Sequence, residues 1–311
     1  MNKKKLILII GLVVLMVGSL IIAKLVSNAN QHKGDIEIIH ELGTTPVKKN
    51  PEKVVVFDLG ILETLDSLDI KVAAVPKSNL PEHLNKYKGN DIVDAGTLFE
   101  PNLEALYELS PDLIIISARQ RTLYDSLNDI APTIYLQIDN ADFINGFKKN
   151  LETLSQIFTK QNNFDEFIEE VERDIAELYQ ITSNSSLKGL FVMVDVDTLS
   201  VFGKGSRFDV IYRGFGVKVA DENIDVSTHG QNINFEYLLN INPDIIFVLD
   251  KGFVTEGKGT AEALLDNEIV KQTAASKTNK IIYLTPYSWY ITSGGLDSIK
   301  IIIDEVAAAF E

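Results

Sequence analysis

Short apolar runs alternate with amphipathic stretches along most of the chain after residue 53. In the first half, the predicted strands and helices are, in order, VVVF (54–57), ILETLDSL (61–68), KVAAV (71–75), NLEALYEL (102–109), DLIII (112–116) and TIYL (133–136). Strands that alternate with helices form parallel βαβ units. The uninterrupted apolar strands agree with this prediction, because a parallel sheet is buried on both faces.

The pattern changes between residues 141 and 182, where apolar side chains recur at helical spacing and no strand is predicted. The second part of this region carries one apolar stripe, formed by Phe164, Phe167, Ile168, Val171, Ile175 and Leu178. A helix with this stripe would be a rod of roughly 30 Å, since each residue adds about 1.5 Å. After SNSS at 183–186, the alternation of strands and helices resumes.

One phrase occurs twice, on either side of the predicted long helix. PNLEALYELSPDLIII at 101–116 has its counterpart in INFEYLLNINPDIIFV at 233–248. Its asparagine, its glutamate and its Pro-Asp pair recur in register, which predicts two similar α/β lobes. The expected segments are an N-terminal membrane anchor or signal (1–29), a linker and lead-in (30–52), a first lobe (53–160), a bridging helix (161–183) and a second lobe (184–311).

The N-terminus predicts export. Three lysines, Lys3 to Lys5, precede an uninterrupted apolar run of about 18 residues from Leu6 to Ala23. This length reaches the lower limit of a membrane-spanning helix and exceeds an ordinary signal-peptide core, so it favours a retained anchor over a cleaved signal. The small residues of SNA at 27–29 keep cleavage open as the alternative. Positive charge on the short side stays in the cytoplasm, so both alternatives place the folded part outside it.

The composition argues against several classes of function. The 311-residue chain has a net charge of −15, which argues against nucleic-acid binding, because phosphate contacts need clustered lysine and arginine. It has no cysteine, which excludes disulfides, thiolate metal sites and cysteine nucleophiles. No G-x-G-x-x-G follows the first strand, and the sequence has neither a Walker loop nor a G-x-S-x-G elbow. The chain is therefore not expected to be an enzyme.

Three cations follow predicted strands in this acidic chain, namely Arg119, Arg207 and Lys251. Ligands of open α/β sheets bind beyond the carboxyl ends of the strands, and two facing lobes would bring those ends to one cleft. The chain has five arginines in all, and a guanidinium suits an anionic ligand because it is permanently charged and weakly hydrated. The alternative is that these residues are ordinary solvated or ion-paired surface cations.

Two further residues have side chains that suit iron. His229 lies in the loop STHGQ, and Tyr290 lies in YSWYITSGG. Fe³⁺ is a hard ion that favours anionic oxygen and accepts imidazole, and the bound ion makes loss of the phenol proton easy. Taken singly, a loop histidine is more often a surface residue, and a tyrosine more often packs in a core.

These features together resemble a known family. The two lobes, the bridging helix and the motif P-D-[LI]-I-[IF] after each glutamate-bearing helix resemble the iron-siderophore and vitamin B12 class of substrate-binding proteins, which feed ABC importers. STHGQNINFEYL at 227–238 and PYSWYITSGG at 286–295 resemble the catecholate-siderophore branch of that class. The resemblance extends over residues 53–311 and implies an α/β fold of two Rossmann-like lobes joined by one long bridging helix.

The resemblance implies a role for each candidate residue. Arg119, Arg207 and Lys251 would bind the anionic ferric complex, with Lys251 at a position where the catecholate branch typically has a third arginine. His229 and Tyr290 would complete the coordination of Fe³⁺ when the siderophore is tetradentate.

The repeated glutamates, Glu104 and Glu236, stand near the start of equivalent predicted helices. A carboxylate in the first turn stabilises a helix through the helix dipole, so capping is one interpretation. The resemblance implies another, in which the two glutamates dock onto arginines of the membrane permease. Exposed charges of this kind steer association and fix its register. Docking is the favoured interpretation, and one residue can do both.

We therefore expect a monomeric extracytoplasmic substrate-binding protein of an ABC importer, which has no permanent cofactor and delivers a ferric catecholate siderophore to a membrane permease. It would lie on the outer face of the cytoplasmic membrane, held by its N-terminal segment, or be exported or periplasmic if that segment is cleaved. Gram-positive members of the class usually carry a lipid-bearing cysteine, which this chain lacks. The stiff bridging helix predicts limited closure of the lobes on binding.

Two alternative functions remain open. One is a binder of haem, cobalamin or a ferric hydroxamate in the same fold, for which neutralising Arg119 and Arg207 should matter little. The other is a membrane-tethered sensor or interaction protein without a role in transport. For that protein, charge reversal at Glu104 and Glu236 should leave iron uptake unchanged.

Overall fold

The computed structural model describes residues 35–78, 80–159 and 163–311. The predicted anchor or signal at 1–29 lies outside these residues. None of the helices in the described ranges has both the length and the apolarity that crossing a membrane requires.

The strands of the described residues are β1 (Ile36–His40), β2 (Gly43–Val47), β3 (Val54–Val56), β4 (Ala74–Val75), β5 (Val93–Asp94), β6 (Leu113–Ile116), β7 (Thr133–Tyr135), β8 (Lys188–Asp195), β9 (Thr198–Phe202), β10 (Lys218–Val219), β11 (Gln231–Ile233), β12 (Ile245–Asp250) and β13 (Ile281–Tyr283). The α-helices are α1 (Leu59–Ser67), α2 (Leu103–Leu109), α3 (Tyr124–Asn128), α4 (Phe143–Ile157), α5 (Phe164–Asn184), α6 (Phe235–Ile241), α7 (Lys251–Glu256), α8 (Ala261–Leu265), α9 (Ala274–Lys277), α10 (Pro286–Tyr290) and α11 (Leu296–Ala308). Segments of 3₁₀ helix occur at Glu82–Lys88, Ala118–Leu123, Asn140–Asp142 and Val270–Gln272, and a π-helical turn occurs at Val210–Gly214.

The first lobe is built on a sheet of five parallel strands in the order β5-β4-β3-β6-β7. The first strand of the sheet in chain order is therefore central, as in a Rossmann-type lobe. Every residue of β3 and β6 is buried, which agrees with their uninterrupted apolar sequences. A separate antiparallel hairpin, β1–β2, precedes this sheet and contacts its edge strand β7.

The second lobe has a sheet in the order β11-β9-β8-β12-β13, with β10 beside the start of β8. Strands β8, β12 and β13 are parallel, whereas β9 runs antiparallel to both β8 and β11. The alternation of the sequence did not predict this reversed strand. Only Val196 and Asp197 separate β9 from β8, and a connection so short allows only an antiparallel pair.

The repeated phrase forms the same helical unit in both lobes. α2 follows Asn102 and α6 follows Asn234, and each asparagine side chain accepts a backbone N–H of the first turn. Each helix ends at a residue in the left-handed conformation, Ser110 with φ 51° and Asn242 with φ 50°. The similarity of the two sequences is therefore a similarity of local structure.

The Pro-Asp pair of the phrase aligns two strands in each lobe. The Asp112 carboxylate accepts the backbone N–H groups of Glu52 and Lys53, both at 2.9 Å. The Asp244 carboxylate accepts the N–H of Lys188, also at 2.9 Å. Lys53 directly precedes β3 and Lys188 begins β8, the central strand of each sheet. The phrase therefore occurs twice because each lobe uses it to set the register of its central pair of strands.

Helix α5 connects the two lobes. Its 21 residues span about 30 Å, and it packs against α4 and α11. Its buried residues are Phe164, Val171, Ile175, Leu178 and Thr182. The predicted fold class of two α/β lobes joined by one long helix is confirmed for the described residues.

The C-terminal helix α11 forms a second connection between the lobes, because it packs against both α5 and α1. The buried carboxylate of Glu63, on α1, accepts hydrogen bonds from the N–H and the hydroxyl of Ser298 at 2.6 and 2.9 Å. His83 donates to the same carboxylate at 2.8 Å. A side chain at position 295 would overlap Glu63, so Gly295 permits this close approach.

Candidate ligand-binding site

A cavity of about 310 Å³ lies between the lobes. Its first-lobe wall comes from residues that follow β3, β6 and β7, and its second-lobe wall comes from the loop after β9 and from the end of α10. Its polar lining includes Asp58, Ser117, Arg119, Gln137, Arg207 and Tyr290. The structure therefore brings three of the predicted site residues, Arg119, Arg207 and Tyr290, to one place.

Arg119 is held by a capped 3₁₀ turn directly after β6. Ser117 begins this turn, and the buried side chain of Gln120 accepts the Ser117 N–H at 3.3 Å. The Gln120 amide also donates to the Leu98 carbonyl, which ties the turn to a neighbouring segment. Arg119 is thus presented to the cavity from a fixed backbone.

Arg207 lies in the loop after β9 and is bound to Tyr290 in two ways. One guanidinium nitrogen donates to the Tyr290 carbonyl at 2.7 Å, and the guanidinium carbon lies 4.1 Å from the centroid of the Tyr290 ring. Burial is the main cause that lowers the pKa of Arg207, Tyr290 partly offsets it, and the charge of Arg119 lowers the pKa further. An arginine still stays protonated, so two positive charges face one cavity.

The five arginines differ in their ion pairs. Three have a carboxylate oxygen within 4 Å: Arg121 with Glu41, Arg173 with Asp174, and Arg213 with Asp209. Arg119 and Arg207, the two that line the cavity, have no carboxylate partner among the described residues. This contrast separates the candidate ligand-binding arginines from the surface arginines, which the sequence alone did not do.

Lys251 lies near the same site but is already paired. It directly follows β12, and its ammonium lies 2.5 Å from the carboxylate of Asp195, at the end of β8. The hydrogen bond to Asp195 is the main cause that raises the pKa of Lys251, while burial and the charge of Arg207 lower it in part. A ligand that uses Lys251 therefore competes with Asp195 for the ammonium.

Tyr290 is the last residue of α10, next to the single tryptophan of the chain. Trp289 is buried, and its indole N–H donates to the Glu305 carboxylate at 2.7 Å. Its ring also packs against Phe191, with a centroid distance of 5.4 Å. The indole is thus fixed beside a residue that lines the cavity.

The structure does not bring His229 into the lining of the cavity. His229 is exposed, in a turn closed by a hydrogen bond of 2.9 Å from the Ser227 hydroxyl to the Gly230 carbonyl. The turn follows Val226, which lies against Gly205 in the loop that carries Arg207. In the part of the chain that the structure describes, no three histidine or acidic side chains are grouped to hold a metal ion. The role of His229 stays a prediction.

Two acidic residues of the site were missed by sequence reasoning. Asp58 lines the cavity and caps α1, since its carboxylate accepts the N–H groups of Gly60 and Ile61 at 2.9 and 3.0 Å. An aspartate directly before an apolar helix is an N-cap signal, so Asp58 was within reach of sequence analysis. The pairing of Asp195 with Lys251 was not, because 56 residues separate them and no local pattern links them.

The repeated glutamates have the same environment in both lobes. Glu104 and Glu236 are exposed in the first turns of α2 and α6, and neither has a hydrogen bond or an ion pair with another described residue. The side-chain caps of these helices are Asn102 and Asn234. Both helices run back toward the start of the next strand, so their first turns lie on the cleft side of the sheets.

Two α/β lobes with a cationic cavity between them have the architecture of a substrate-binding protein, and the chain belongs to the periplasmic binding protein family, whose model matches residues 54–288. The predicted resemblance to the iron-siderophore class is confirmed by its relatives. The chain is 40% identical over 283 residues to the petrobactin-binding protein YclQ of Bacillus subtilis, covering 90% of this chain and 89% of YclQ.

The crystal structure of YclQ has a TM-score of 0.85 with this chain, covering 89% of this chain and 98% of the YclQ chain. The ferric-anguibactin-binding protein FatB of Vibrio anguillarum is 34% identical over 282 residues, which are 89% of this chain and 88% of FatB. The periplasmic catecholate-siderophore binding protein VctP of Vibrio cholerae is 32% identical, with a TM-score of 0.83 over 88% of this chain and 99% of VctP.

Proposed function

We propose that this protein is the extracytoplasmic substrate-binding component of an ABC importer and captures an anionic ferric siderophore of the catecholate type. The observation that carries this proposal is the pair of guanidinium groups, Arg119 and Arg207, that line the cavity between the lobes and have no carboxylate partner among the residues that the structure describes. The Asp58 carboxylate also lines the cavity, but it accepts the N–H groups of Gly60 and Ile61 and forms an ion pair with neither arginine. Cationic groups in a cleft attract anionic ligands. YclQ binds petrobactin, FatB ferric anguibactin and VctP catecholate siderophores, which supports the same ligand class here.

Tyr290 and His229 complete the coordination of the iron when the siderophore is tetradentate. The Arg207 guanidinium lies 4.1 Å from the Tyr290 ring, so a phenolate formed on iron would have a cation beside it. His229 reaches the iron by movement of its exposed turn. Lys251 serves as the third cation after exchanging Asp195 for the ligand.

Glu104 and Glu236 dock the loaded protein onto the permease. Three features support this role: both are exposed, neither has a partner in the part of the chain that the structure describes, and both lie on the cleft side of their lobes. The protein acts as a monomer on the outer face of the cytoplasmic membrane, tethered by the N-terminal segment at 1–29, or is exported or periplasmic if that segment is cleaved. We retain the predicted domain bounds as part of the proposal: a first lobe at 53–160, a bridging helix at 161–183 and a second lobe at 184–311.

Fluorescence of Trp289 tests the ligand class, because this residue is the single tryptophan and adjoins Tyr290. The full chain in nanodiscs is titrated with a tetradentate ferric catecholate, a ferric hydroxamate, haem and cobalamin. We expect saturable quenching by the catecholate. Arg119→Met should weaken it at least about tenfold, since truncating a desolvated charge partner costs about 2 kcal/mol or more. Arg173→Met is the matched control, since Arg173 lies on α5 beside Asp174.

Tyr290→Phe tests the proposed iron ligand and keeps the ring face and the backbone carbonyl that Arg207 contacts. We expect weaker binding of the tetradentate complex and a shifted charge-transfer band. A hexadentate complex should bind unchanged, because its iron has no open position. Quenching by haem, cobalamin or a hydroxamate alone would contradict the proposed ligand class.

A further inference from the structure

An exposed row of apolar side chains borders Glu104 on the first lobe. Phe99 is 69% exposed, Leu103 is 41% exposed and Tyr107 is 74% exposed. We call these three residues the apolar row. Leu103 and Tyr107 are four residues apart on α2, so they share one face of the helix.

Phe99 is exposed on an ordered turn. The Thr97 hydroxyl accepts the N–H groups of Phe99 and Glu100 at 3.2 and 2.9 Å, and the Thr97 N–H donates to the Glu100 carbonyl at 3.0 Å. Gly96 has a φ of 95°, and a side chain there would overlap the Glu100 carbonyl. The turn therefore holds an aromatic side chain in water.

A row of carboxylates runs beside the apolar row. It consists of Glu100, Glu104 and Glu108, all exposed, and we call it the acidic row. Each side chain of the apolar row is followed directly in the chain by a carboxylate of the acidic row, so the surface presents both kinds of side chain. Such a surface fits a protein that presents cations next to apolar side chains, and it opposes anionic lipid headgroups.

The equivalent surface of the second lobe lacks the apolar row. Two residues before the aligned phrase, Gln231 stands in the register of Phe99. Within the phrase, Phe235 and Leu239 correspond to Leu103 and Tyr107 and are partly buried instead of exposed. Phe235 packs against the core. Glu236 therefore presents its charge without an apolar surround.

We propose that the permease binds the first lobe through an apolar contact on Phe99, Leu103 and Tyr107 around the Glu104 ion pair, and binds the second lobe through charge alone. This inference rests on the proposed function. The occupant of the apolar row is the extracytoplasmic surface of the permease, with cationic side chains facing the acidic row. The difference between the lobes sets the orientation in which a protein with two similar lobes docks.

Salt separates the two kinds of contact. Between about 0.1 M and about 1 M salt, the Debye length falls from about 10 Å to about 3 Å, which screens exposed ion pairs. The energy of an apolar contact does not fall in this way. The first-lobe contact should therefore keep most of its strength in high salt, and the second-lobe contact should not.

Biolayer interferometry tests this inference. The permease–ATPase complex that supports siderophore uptake with the wild-type chain is immobilised in nanodiscs, and the loaded full chain is the analyte. Phe99→Ser and Tyr107→Ser should each raise the dissociation constant at least about fivefold at both salt concentrations, as for a modest interface hot spot. Glu236→Gln should raise it at about 0.1 M salt and have little effect at about 1 M salt.

The control is Ile181→Ser on α5, which removes a side chain that is 51% exposed next to the start of β8, away from the cleft. Each variant must first show wild-type ligand binding by Trp289 fluorescence. If the two aromatic variants bind like the control while Glu104→Gln weakens binding, the apolar contact is wrong and the docking role stands. If neither glutamate variant changes binding, the docking role itself is wrong. Binding to empty nanodiscs of phosphatidylglycerol, lost in Phe99→Ser, would identify lipid as the occupant and overturn the inference.

Discussion

The charge pairing of single residues determines which cations of the cleft are available to a ligand. Within the described ranges, Arg119 and Arg207 line the cavity without carboxylate partners, whereas Lys251 is held by Asp195 at 2.5 Å. The chain has a net charge of −15, so an anionic ligand is attracted by a local feature and not by the whole molecule. Asp195 thereby becomes a residue that adjusts how much positive charge the cleft presents.

Asp195→Asn should tighten the binding of strongly anionic ferric complexes. The substitution removes the charge that neutralises Lys251 and keeps a side chain that can accept its hydrogen bond. We expect the dissociation constant of a trianionic ferric tris-catecholate to fall about two- to fivefold, the range for a partly exposed ion pair. A neutral ferric hydroxamate should be unaffected. Isothermal titration calorimetry gives both values.

Asp197→Asn is the matched control for that experiment, because Asp197 is an exposed aspartate in the same turn and has no ion pair with another described residue. Equal tightening in both variants would show that only the net charge matters. No change in Asp195→Asn would show that the ligand does not reach Lys251.

The structure brings Arg119, Arg207 and Tyr290, which sequence reasoning selected from strand ends and motif positions, to one cavity. It could not distinguish paired from unpaired cations, because ion pairs such as the one between Lys251 and Asp195 join residues far apart in sequence. Sequence reasoning likewise cannot show which residues contact a bound molecule, and the predicted contact of His229 with iron depends on such a molecule.

At the scale of elements, the start of α2 has two residues with different expected roles: Asn102 caps the helix, and Glu104 is proposed to dock. Asn102→Ala should destabilise the protein by about 1 kcal/mol, because its side chain caps α2. Glu104→Ala should cost no more than about 0.3 kcal/mol, the lower limit for an exposed charge near a helix dipole. Urea denaturation of the full chain, followed by circular dichroism, measures both values. If Glu104→Ala is as destabilising as Asn102→Ala, then the glutamate is a cap and docking loses its structural support.

Elements with a strong periodic pattern were predicted well, and those defined by a turn were not. The central strands, α2, α6 and the long helix α5 all follow from apolar spacing. The strand LSVF of β9 was predicted, but its reversed direction was missed because its turn, Val196–Asp197, has no glycine or asparagine to indicate a hairpin. Val196 adopts a φ of 58°, a conformation that β-branched residues rarely take, so tertiary packing decides this turn.

At the scale of the whole molecule, a polar cluster between the lobes makes stability depend on pH. The hydrogen bond to Glu63 is the main cause that raises the pKa of His83, with smaller contributions from Asp297 and Asp66 that also raise it. A raised pKa means that the folded state holds the proton more tightly than the unfolded state. The stabilisation is therefore complete below the unfolded pKa of about 6.5 and is lost as the pH rises through the folded pKa.

His83→Gln isolates that charge, because a glutamine amide can still donate a hydrogen bond to Glu63. The wild type should be more stable than this variant by a few tenths of a kcal/mol below about pH 6.5, since the His83 side chain is nearly half exposed. The difference should vanish at high pH. Urea denaturation across the pH range measures it, and a constant difference would show that the charge of His83 does not contribute.

The connections between the lobes predict a small movement on ligand binding. The bridging helix α5 was foreseen from the sequence, but the contact of α11 with α1 was not, because Glu63 and Ser298 are 235 residues apart. Two connections restrict a hinge more than one connection does, so closure should be limited.

The chain has no cysteine, so spin labels at Tyr107→Cys and Val226→Cys, both exposed and in different lobes, report the distance between the lobes without background labelling. We expect the mean distance between the labels to change by less than about 3 Å on adding a ferric catecholate. This change is small compared with the radius of gyration of about 19 Å for a chain of this size. Glu63→Ala, which removes the acceptor for Ser298, should allow a larger change, and a wild-type change as large as that of Glu63→Ala would show that the α1–α11 contact does not restrain the lobes.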